Sequence, residues 1–149
     1  MDGLIVRKME KNDLQAVHAI EQASFITPWS FQSLKGELKN KLAYYCVAET
    51  DSRIVGYAGM WSIFDESHIT NVAVDSEYRR QGIGKAIMEH MVEAAKSRGA
   101  TSMTLEVRAN NTAAQTLYFN MGFVRGGLRR GYYTDTNEDA LILWKQLTQ

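Results

Sequence analysis

The segment NVAVDSEYRRQGIGKA, residues 71–86, constrains the fold more than any other part of this chain. It opens on the last apolar residues of an alternating run that predicts the end of a β-strand, and the turn-forming residues 75–77 follow. From Ile83 onward, apolar residues recur at helical spacing. The segment is therefore predicted to be a strand, a short loop and a helix whose entrance carries arginines and glycines.

The predicted helix entrance suits an anion. The first turn of a helix leaves backbone N–H groups without partners, and the helix dipole makes that end partly positive. Gly82 and Gly84 have no side chains, so an anion can come close to those amides. Arg79, Arg80 and Lys85 add full positive charges nearby. The loop is therefore predicted to bind a phosphate or pyrophosphate, and a plain turn with solvated arginines is the alternative.

Two common phosphate-binding sequences do not match this loop. A dinucleotide fingerprint needs a small residue in place of Ile87, and a Walker loop needs glycine and a hydroxyl residue in place of Arg79 and Ala86. The pattern that matches is R-x-x-G-x-G, with Gly82 and Gly84, shortly after the strand residues VAV. It resembles the pyrophosphate loop of the GNAT superfamily of acetyl-coenzyme A-dependent N-acetyltransferases.

Length and composition narrow the range of functions. With 149 residues, the chain is predicted to be one domain, residues 1–149. Its 17 basic and 17 acidic residues cancel, which argues against a protein that coats nucleic acid or an anionic membrane. The lone Cys46 suits a reducing cytosol, so a cytoplasmic protein is expected. The histidines are scattered without metal-ligand spacing, so no metal is expected.

The order of the remaining patterns predicts an α/β (α+β) chain with a mixed, largely antiparallel sheet of six to seven strands and about four helices. This order, β-α-α-β-β-β-α-β-α-β-β, is also the GNAT order. The strands are predicted at residues 4–9, 44–49, 54–61, 68–74, 101–107, 123–130 and 139–144. The helices are predicted to begin near residues 13, 30, 83 and 112 and to end near residues 25, 40, 98 and 120.

Capping residues set the helix starts. Asn12 or Asp13 is the predicted cap of the first helix, and Ser30 is the predicted cap of the second. Between these helices the chain is predicted to break at residues 27–30, which hold its only proline. The polar residues 110–112 are predicted to cap the fourth helix.

The segment LEVRANNTAAQTLYFNMGF, residues 105–123, extends the resemblance. It is similar to the L-E-V-R-x-x-N-x-x-A-x-x-L-Y-x-x-x-G-F block of one GNAT branch, the RimI-like ribosomal-protein-alanine N-acetyltransferases. In that branch the glutamate is the general base, the asparagine contacts the coenzyme and the tyrosine is the general acid. The resemblance implies these roles for Glu106, Asn111 and Tyr118.

The chemistry of acetyl transfer needs both a base and an acid. The attacking amine must lose a proton, and the leaving thiolate should gain one. Glu106 is a lone carboxylate opposite Leu105 in an apolar strand, where partial burial would raise its pKa. The alternative is a solvated glutamate paired with Arg108. For Tyr118, the alternative is a core aromatic on a short amphipathic helix.

The resemblance also implies a site for acetyl-CoA. Its pantetheine arm is expected along the strand that ends at Val74, with a backbone N–H near Val72 facing the thioester carbonyl. Its pyrophosphate is expected on the loop that follows. The expected coenzyme contacts are Val72, Ala73, Val74, Arg79, Arg80, Gln81, Gly82, Ile83, Gly84, Lys85, Asn111 and Tyr118.

Four aromatic residues are the expected contacts of an extended peptide N-terminus. Phe25 and Trp29 flank the break between the first two helices, and they are either core residues or the wall of a groove. Tyr132 and Tyr133 are predicted to lie in a polar loop between the last two strands, beside the arginines 129–130. Carboxylates are a further means to attract a basic peptide, with solvated surface charges as the alternative. The candidates are Glu21, Asp65 and Glu138.

These features predict an acetyl-CoA-dependent N-alpha-acetyltransferase for a protein N-terminus, the resemblance implying the N-terminal alanine of a small-subunit ribosomal protein. Direct attack in a ternary complex is expected, because no cysteine lies among the motif residues to carry the acetyl group. An enzyme that acetylates a small amine or a lysine side chain is one alternative, and a non-catalytic acyl-CoA sensor is another. A monomer or weak dimer is expected, without nucleic acid or membrane partners.

Overall fold

The observed elements follow the predicted order. The computed structural model describes residues 3–26 and 28–147, so Thr27, part of the predicted break, lies outside the described residues. The strands are β1 (Ile5–Lys8), β2 (Ala43–Thr50), β3 (Arg53–Ile63), β4 (Glu66–Val74), β5 (Ser102–Arg108), β6 (Val124–Tyr133) and β7 (Glu138–Gln146). The helices are α1 (Leu14–Ser24), α2 (Phe31–Glu37), α3 (Ile83–Ser97) and α4 (Thr112–Asn120).

All seven strands form one sheet in the order β1-β2-β3-β4-β5-β7-β6. Each neighbouring pair is antiparallel except β4 and β5, which are parallel and are joined through α3. The prediction of a mixed, largely antiparallel sheet is confirmed. Within the described ranges, no helix has the length and apolarity needed to cross a membrane.

The parallel strands β4 and β5 pair only where they begin. The register partners are Glu66 with Ser102, Ser67 with Met103 and His68 with Thr104. Beyond these pairs the two strands run on separately, to Val74 and Arg108. The result is a gap, here called the strand opening, between residues 69–74 of β4 and 105–108 of β5. An unpaired strand edge offers backbone N–H and C=O groups to an extended ligand.

Strand β4 contains a β-bulge at Thr70, where its register against β3 shifts by one residue. Side chains alternate between the two faces of a regular strand, so Ile69 and Ala73 would otherwise share a face. The extra residue reverses this alternation, because Ile69 packs beside α3 whereas Ala73 packs beside α1. The bulge therefore re-aims the half of β4 that borders the strand opening.

The hydrophobic core lies in two clusters, one on each face of the sheet. The α3 cluster includes Ile83, Ile87 and Met91, which are buried at helical spacing. The α1 cluster includes Val17 of α1 and Leu34 of α2. Full burial of such side chains stabilises the fold by roughly 1.5–3 kcal/mol each. Packing on both faces thus holds the helices against the strands that border the opening.

Helix α1 starts where the sequence predicts, but the side chain at its N-cap has another role. Asp13 has helical backbone angles and makes no capping hydrogen bond to α1. Its carboxylate instead accepts hydrogen bonds from the Arg7 guanidinium (2.8 and 2.9 Å) and from the Glu10 N–H (2.7 Å). Asp13 does occupy the N-cap position of α1, as predicted, but its side chain does not cap the helix, because the cation on β1 competes for this carboxylate.

Two further boundaries were affected. Ser30 does cap α2, since its Oγ accepts a hydrogen bond from the Ser33 N–H (3.1 Å), but the helix ends at Glu37 rather than near residue 40. The predicted polar loop between the last strands shrinks to residues 134–137, because β6 runs on through the paired tyrosines. The placement of those tyrosines and Glu138 in a loop was therefore wrong.

Candidate active site

The loop between β4 and α3 has a backbone shaped by two left-handed residues. Arg80 has a φ of 63° and Gly82, the N-cap of α3, has a φ of 81°. A Cβ at Gly82 would meet no atom within 4 Å, so the glycine serves the backbone conformation rather than relieving crowding. Alternation of ordinary and left-handed backbone turns successive N–H groups toward one side, which favours an anion there. The loop geometry thus fits the predicted phosphate site.

The positive charges on this loop are available to a ligand. Arg79, Arg80 and Lys85 are exposed, and none forms an ion pair or a side-chain hydrogen bond with another described residue. The neighbouring Arg53 is different, because it binds Asp75 at 3.1 Å. The exposed cations therefore add to the charge of the helix end, where a diphosphate would bind.

On the other side of the strand opening, Glu106 of β5 is paired with His68 of β4. The distance from Nε2 of His68 to Oε1 of Glu106 is 2.7 Å. The Tyr132 hydroxyl donates a longer hydrogen bond, of 3.4 Å, to the same oxygen. The Glu106 side chain is 11% exposed and the His68 side chain 38%. His68 is the last β4 residue that pairs with β5, so this pair lies where the opening begins.

The pKa of Glu106 is shifted in the opposite direction from the prediction. Burial of the carboxyl raises the pKa, as expected for a half-buried acid. The hydrogen bond and charge of His68, the charge of Arg129 and the hydrogen bond from Tyr132 together outweigh burial and bring the pKa below its usual value. The prediction of a raised pKa was wrong, because it counted burial without these partners.

Arg108 is not the partner of Glu106, so the alternative assignment for this glutamate was also wrong. Its guanidinium binds Asp135 at 2.8 Å and Glu138 at 3.2 Å. The same group lies 4.0 Å from the centroid of the Tyr133 ring. Arg108 therefore ties the loop between β6 and β7 to the end of β5, beside the site.

Tyr118 lies on the other face of the sheet. Leu105 and Val107 pack in the α3 cluster with Tyr118, whereas Glu106 alternates to the opposite face. The Tyr118 ring packs against Phe123 with centroids 5.8 Å apart, and burial raises its pKa to about 12. The two candidate catalytic groups therefore lie on opposite faces of the sheet.

The Tyr118 hydroxyl is accessible although its ring is buried. It has no hydrogen-bond partner within residues 3–26 and 28–147, yet no fully buried side-chain oxygen or nitrogen there lacks one. The hydroxyl oxygen is therefore not completely enclosed by the described residues, although Tyr118 as a whole is only 8% exposed. A phenol that keeps its proton at neutral pH and meets an open surface can donate that proton to a bound group.

The paired tyrosines stand beside Glu106. Tyr132 and Tyr133 pack edge to face, with ring centroids 5.0 Å apart. Burial raises the pKa of Tyr133 to about 12. The charges of Tyr132, Glu106 and Tyr118 act in the same direction, and the charge of Arg108 opposes them. Tyr133 thus interacts electrostatically with both candidate catalytic groups, Glu106 and Tyr118. Its position fits an aromatic wall next to the opening.

Phe25 and Trp29 are both half-buried against the α1 cluster. Each therefore packs partly on the core, whereas their role as the wall of a groove stays a prediction. The Trp29 ring meets Trp61 edge-on, with centroids 6.5 Å apart. The backbone N–H of Trp29 donates to Oε2 of Glu21 at 2.8 Å. This backbone hydrogen bond fixes the connection between α1 and α2.

Glu21 is not a surface charge, so its proposed role in attracting a basic peptide was wrong. The residue is 1% exposed. Besides Trp29, its carboxyl accepts hydrogen bonds from the Tyr57 hydroxyl and from the Asn71 amide (3.4 Å). Burial raises the pKa of this carboxyl. The group belongs to a polar network beneath the site, between α1, β3 and β4.

The remaining predicted coenzyme contacts border the opening or its mouth. Val72, Ala73 and Val74 form the end of β4, beyond the last pair with β5. A Cβ at Gly84 would lie 3.5 Å from Leu117 and 4.0 Å from Val74, which shows how closely the start of α3 approaches α4 and β4. Asn111 is the N-cap of α4, where its Oδ1 accepts a hydrogen bond from the Ala114 N–H at 3.1 Å. Residues 3–26 and 28–147 contain no cluster of three metal-ligating side chains.

This geometry agrees with a comparison to known families. The model of the acetyltransferase (GNAT) family matches residues 14–123. This chain belongs to the GNAT family. It is accordingly an acyltransferase, as the sequence predicts, and acetyl-CoA is the coenzyme of that family.

Two sequence relatives match this GNAT chain over nearly its whole length. A Bacillus subtilis protein, provisionally named a ribosomal protein bS18-alanine N-acetyltransferase, is 42% identical over 145 residues, 97% of this chain and 96% of the relative. The Escherichia coli ribosomal protein bS18-alanine N-acetyltransferase is 35% identical over 140 residues, 93% of this chain and 94% of the relative. The crystal structure of the Escherichia coli enzyme has a TM-score of 0.89 and 33% identity, with 98% of this chain and 95% of that chain covered.

Sequence reasoning missed one residue at the centre of this GNAT site. His68 was set aside among scattered histidines, yet it forms the shortest side-chain contact of Glu106. The alternation along β4 does predict that His68 points to the face opposite Ser67 and Ile69. The partner was not readable, because the two residues are 38 positions apart on strands whose parallel register depends on the α3 crossover.

Proposed function

We propose that this acetyltransferase transfers the acetyl group of acetyl-CoA to the α-amine of an N-terminal alanine on a ribosomal protein, with bS18 as the acceptor. The observation that carries the acceptor is the nearly full-length match to the Escherichia coli enzyme named for that reaction. The site supports the same class of reaction, because a carboxylate and a phenol lie on either side of one strand opening. The transfer is direct, since Cys46 is fully buried in the core.

The coenzyme site consists of the loop before α3 and the unpaired edge of β4. Acetyl-CoA, when bound, supplies an acyl carbon activated as a thioester. The N–H groups of residues 82–85 and the side chains of Arg79 and Arg80 hold its diphosphate. The β4 edge at residues 72–74 binds the pantetheine amides as an added strand would. A β4 N–H near Val72 stabilises the negative charge that develops on the thioester oxygen.

The acceptor amine lies on the Glu106 side of the opening. Phe25, Trp29, Tyr132 and Tyr133 line its approach and hold an extended peptide. Glu106 takes a proton from the amine nitrogen, directly or through one water, as that nitrogen forms a bond to the acyl carbon. The bond from carbon to sulfur breaks with its electron pair on sulfur, and Tyr118 donates a proton there. The products are the acetylated N-terminus and free coenzyme thiol.

The test uses purified protein, acetyl-CoA and a peptide copy of the bS18 N-terminus that begins with alanine. We expect release of coenzyme thiol in step with peptide consumption, and mass spectrometry should locate the acetyl group on the α-amine. The matched control is the same peptide with its α-amine already acetylated and its lysines intact. Thiol release from the blocked peptide, or acetyl groups on lysine alone, would replace this proposal with a side-chain acetyltransferase.

A further inference from the structure

The pair formed by His68 and Glu106 has one feature that the acid–base scheme does not use. Both side-chain hydrogen bonds to Glu106 reach the same oxygen, Oε1: His68 at 2.7 Å and Tyr132 at 3.4 Å. Within the described ranges, Oε2 has no side-chain partner. One oxygen therefore orients the carboxylate, and the other remains available to an amine at the opening.

We propose that His68 is a positioning residue for Glu106, and that His68 must be neutral for Glu106 to act as the base. This inference rests on the proposed function. In the working state the Nε2–H of His68 donates to Oε1, and the N–H bond of the acceptor amine breaks as an O–H bond forms at Oε2. The proton then leaves Oε2 to solvent, so that the carboxylate is restored for the next turnover.

A protonated His68 would oppose this step. An imidazolium beside the carboxylate favours the ionised form of Glu106 and so makes it a weaker proton acceptor. The hydrogen bond with Glu106 raises the pKa of His68, against partial burial, and so brings this protonation toward neutral pH. A neutral His68 keeps the hydrogen bond without the charge, so the basicity of Oε2 rises when the ring loses its proton.

The charged groups around His68 support a coupled titration of His68 and Glu106. Besides Glu106, the charge of Glu66 on β4 raises the pKa of His68 and the charge of Arg129 on β6 lowers it. Tyr132 reaches the pair through Glu106, and its own pKa is raised by burial and then by Glu106. The His68 side chain is 38% exposed, so its proton can exchange with solvent. The pair and not either residue alone is therefore expected to set the acidic limb of the rate profile.

The test compares kcat as a function of pH for the wild type, His68→Gln and His68→Ala at saturating acetyl-CoA and acceptor. The glutamine amide can donate to Oε1 but cannot become charged. The ratio of kcat for His68→Gln to kcat for the wild type should therefore increase by about tenfold per pH unit below the pKa of His68. His68→Ala also loses the orientation, so above the pKa of His68 its kcat should be roughly 10- to 100-fold below that of the wild type, while the KM for acetyl-CoA stays the same. Below that pKa its ratio to the wild type should rise as the ratio for His68→Gln does, because alanine cannot become charged either.

His90→Gln is the matched control. His90 lies on α3 and its Nε2 is 2.8 Å from the Tyr44 hydroxyl, away from the opening, so its ratio to the wild type should not vary with pH. A flat ratio for His68→Gln, equal to that of His90→Gln, would overturn the proposal. The kcat ratios can be measured with any amine that the wild type acetylates. If the alanine peptide is not acetylated, the proposed acceptor is wrong, but this test of His68 can still be carried out with another amine.

A second measurement does not depend on variants of His68. NMR titration of the His68 ring should give a pKa above 6.5 in the wild type, and this pKa should fall when the carboxylate is removed in Glu106→Gln. An unchanged pKa in Glu106→Gln would contradict the coupling on which the proposal depends.

Discussion

The loop before α3 and the cluster around Glu106 differ in whether their charged side chains are paired. In the loop, Arg79, Arg80 and Lys85 are exposed and have no ion-pair partner within the described residues. In the cluster, Glu106 is held by His68, and the neighbouring Arg108 binds two carboxylates. Exposed, unpaired charges can pair with an incoming anion, whereas paired and half-buried charges are already oriented. This difference is consistent with the proposal that the loop binds the coenzyme and that Glu106 acts in the chemistry.

The largest effect is expected in the cluster, from Glu106→Gln. Loss of the base should lower kcat by roughly 10²–10⁴-fold near neutral pH, with a smaller loss at high pH where the amine deprotonates by itself. The KM for acetyl-CoA should not change, because the coenzyme is held elsewhere. Steady-state kinetics across pH measures both constants, and Glu89→Gln on the exposed face of α3 is the control. A similar loss of kcat at every pH would remove Glu106 from proton transfer.

The loop should respond in the opposite manner. The double variant Arg79→Ala/Arg80→Ala should raise the KM for acetyl-CoA roughly 10- to 100-fold, since each lost contact between an arginine and a phosphate is worth about tenfold. Its kcat should stay within about threefold of the wild type, because the acid and base remain in place. The salt dependence of KM should also weaken. Arg125→Ala on the exposed side of β6 is the control. A double variant with the same KM as this control would show that the loop arginines do not bind the coenzyme.

Tyr118→Phe tests whether the phenol belongs with the chemistry or with the packing. We expect kcat to fall roughly tenfold, while the KM for acetyl-CoA and the midpoint of thermal unfolding barely change, because only the accessible hydroxyl is removed. Isothermal titration with coenzyme A and thermal unfolding supply the two controls. Loss of coenzyme affinity at unchanged kcat would show that Tyr118 binds the coenzyme and does not act as the acid.

The smallest effect concerns the network beneath the acceptor side. Burial raises the pKa of Glu21 above its usual 4.5, so the folded state holds this proton more tightly than the unfolded state does. The stability that this group contributes is present below pH 4.5 and is lost as the pH rises through the folded-state pKa. Glu21→Gln has no proton to lose, so its unfolding free energy should decline less over that range. Urea unfolding at several pH values measures the difference, and parallel curves for the two proteins would contradict it.

Local signals gave the sequence of elements and the coenzyme loop. Gly82 and the arginines before it predict the start of α3 from residues that are adjacent in the chain. Ser30 predicts the start of α2 in the same way. The LEVR block added Glu106 and Tyr118 by resemblance. All of these features depend on spacing within a short segment, which a single sequence displays.

Long-range pairings could not be read in this way. The prediction for Glu106 went wrong because its pKa depends on His68, which β4 places opposite it. Asp13 stands at the predicted N-cap position, but its carboxylate makes no capping hydrogen bond to α1 because Arg7 reaches it from β1. The tyrosines were assigned to a loop because their segment is polar, yet an edge strand tolerates polar residues when its neighbour supplies the backbone ladder. In each case a residue from another strand decided the outcome.

One crystal structure can show both proposed contacts, the diphosphate on the loop before α3 and the acceptor nitrogen at Glu106 across the strand opening. A crystal structure with a conjugate of coenzyme A and an alanine-first peptide tests these contacts most directly. We expect the diphosphate on the N–H groups of residues 82–85 and the peptide nitrogen within hydrogen-bond reach of Glu106 Oε2, directly or through one water. A diphosphate bound elsewhere, or a peptide nitrogen on the Tyr118 face, would contradict the account.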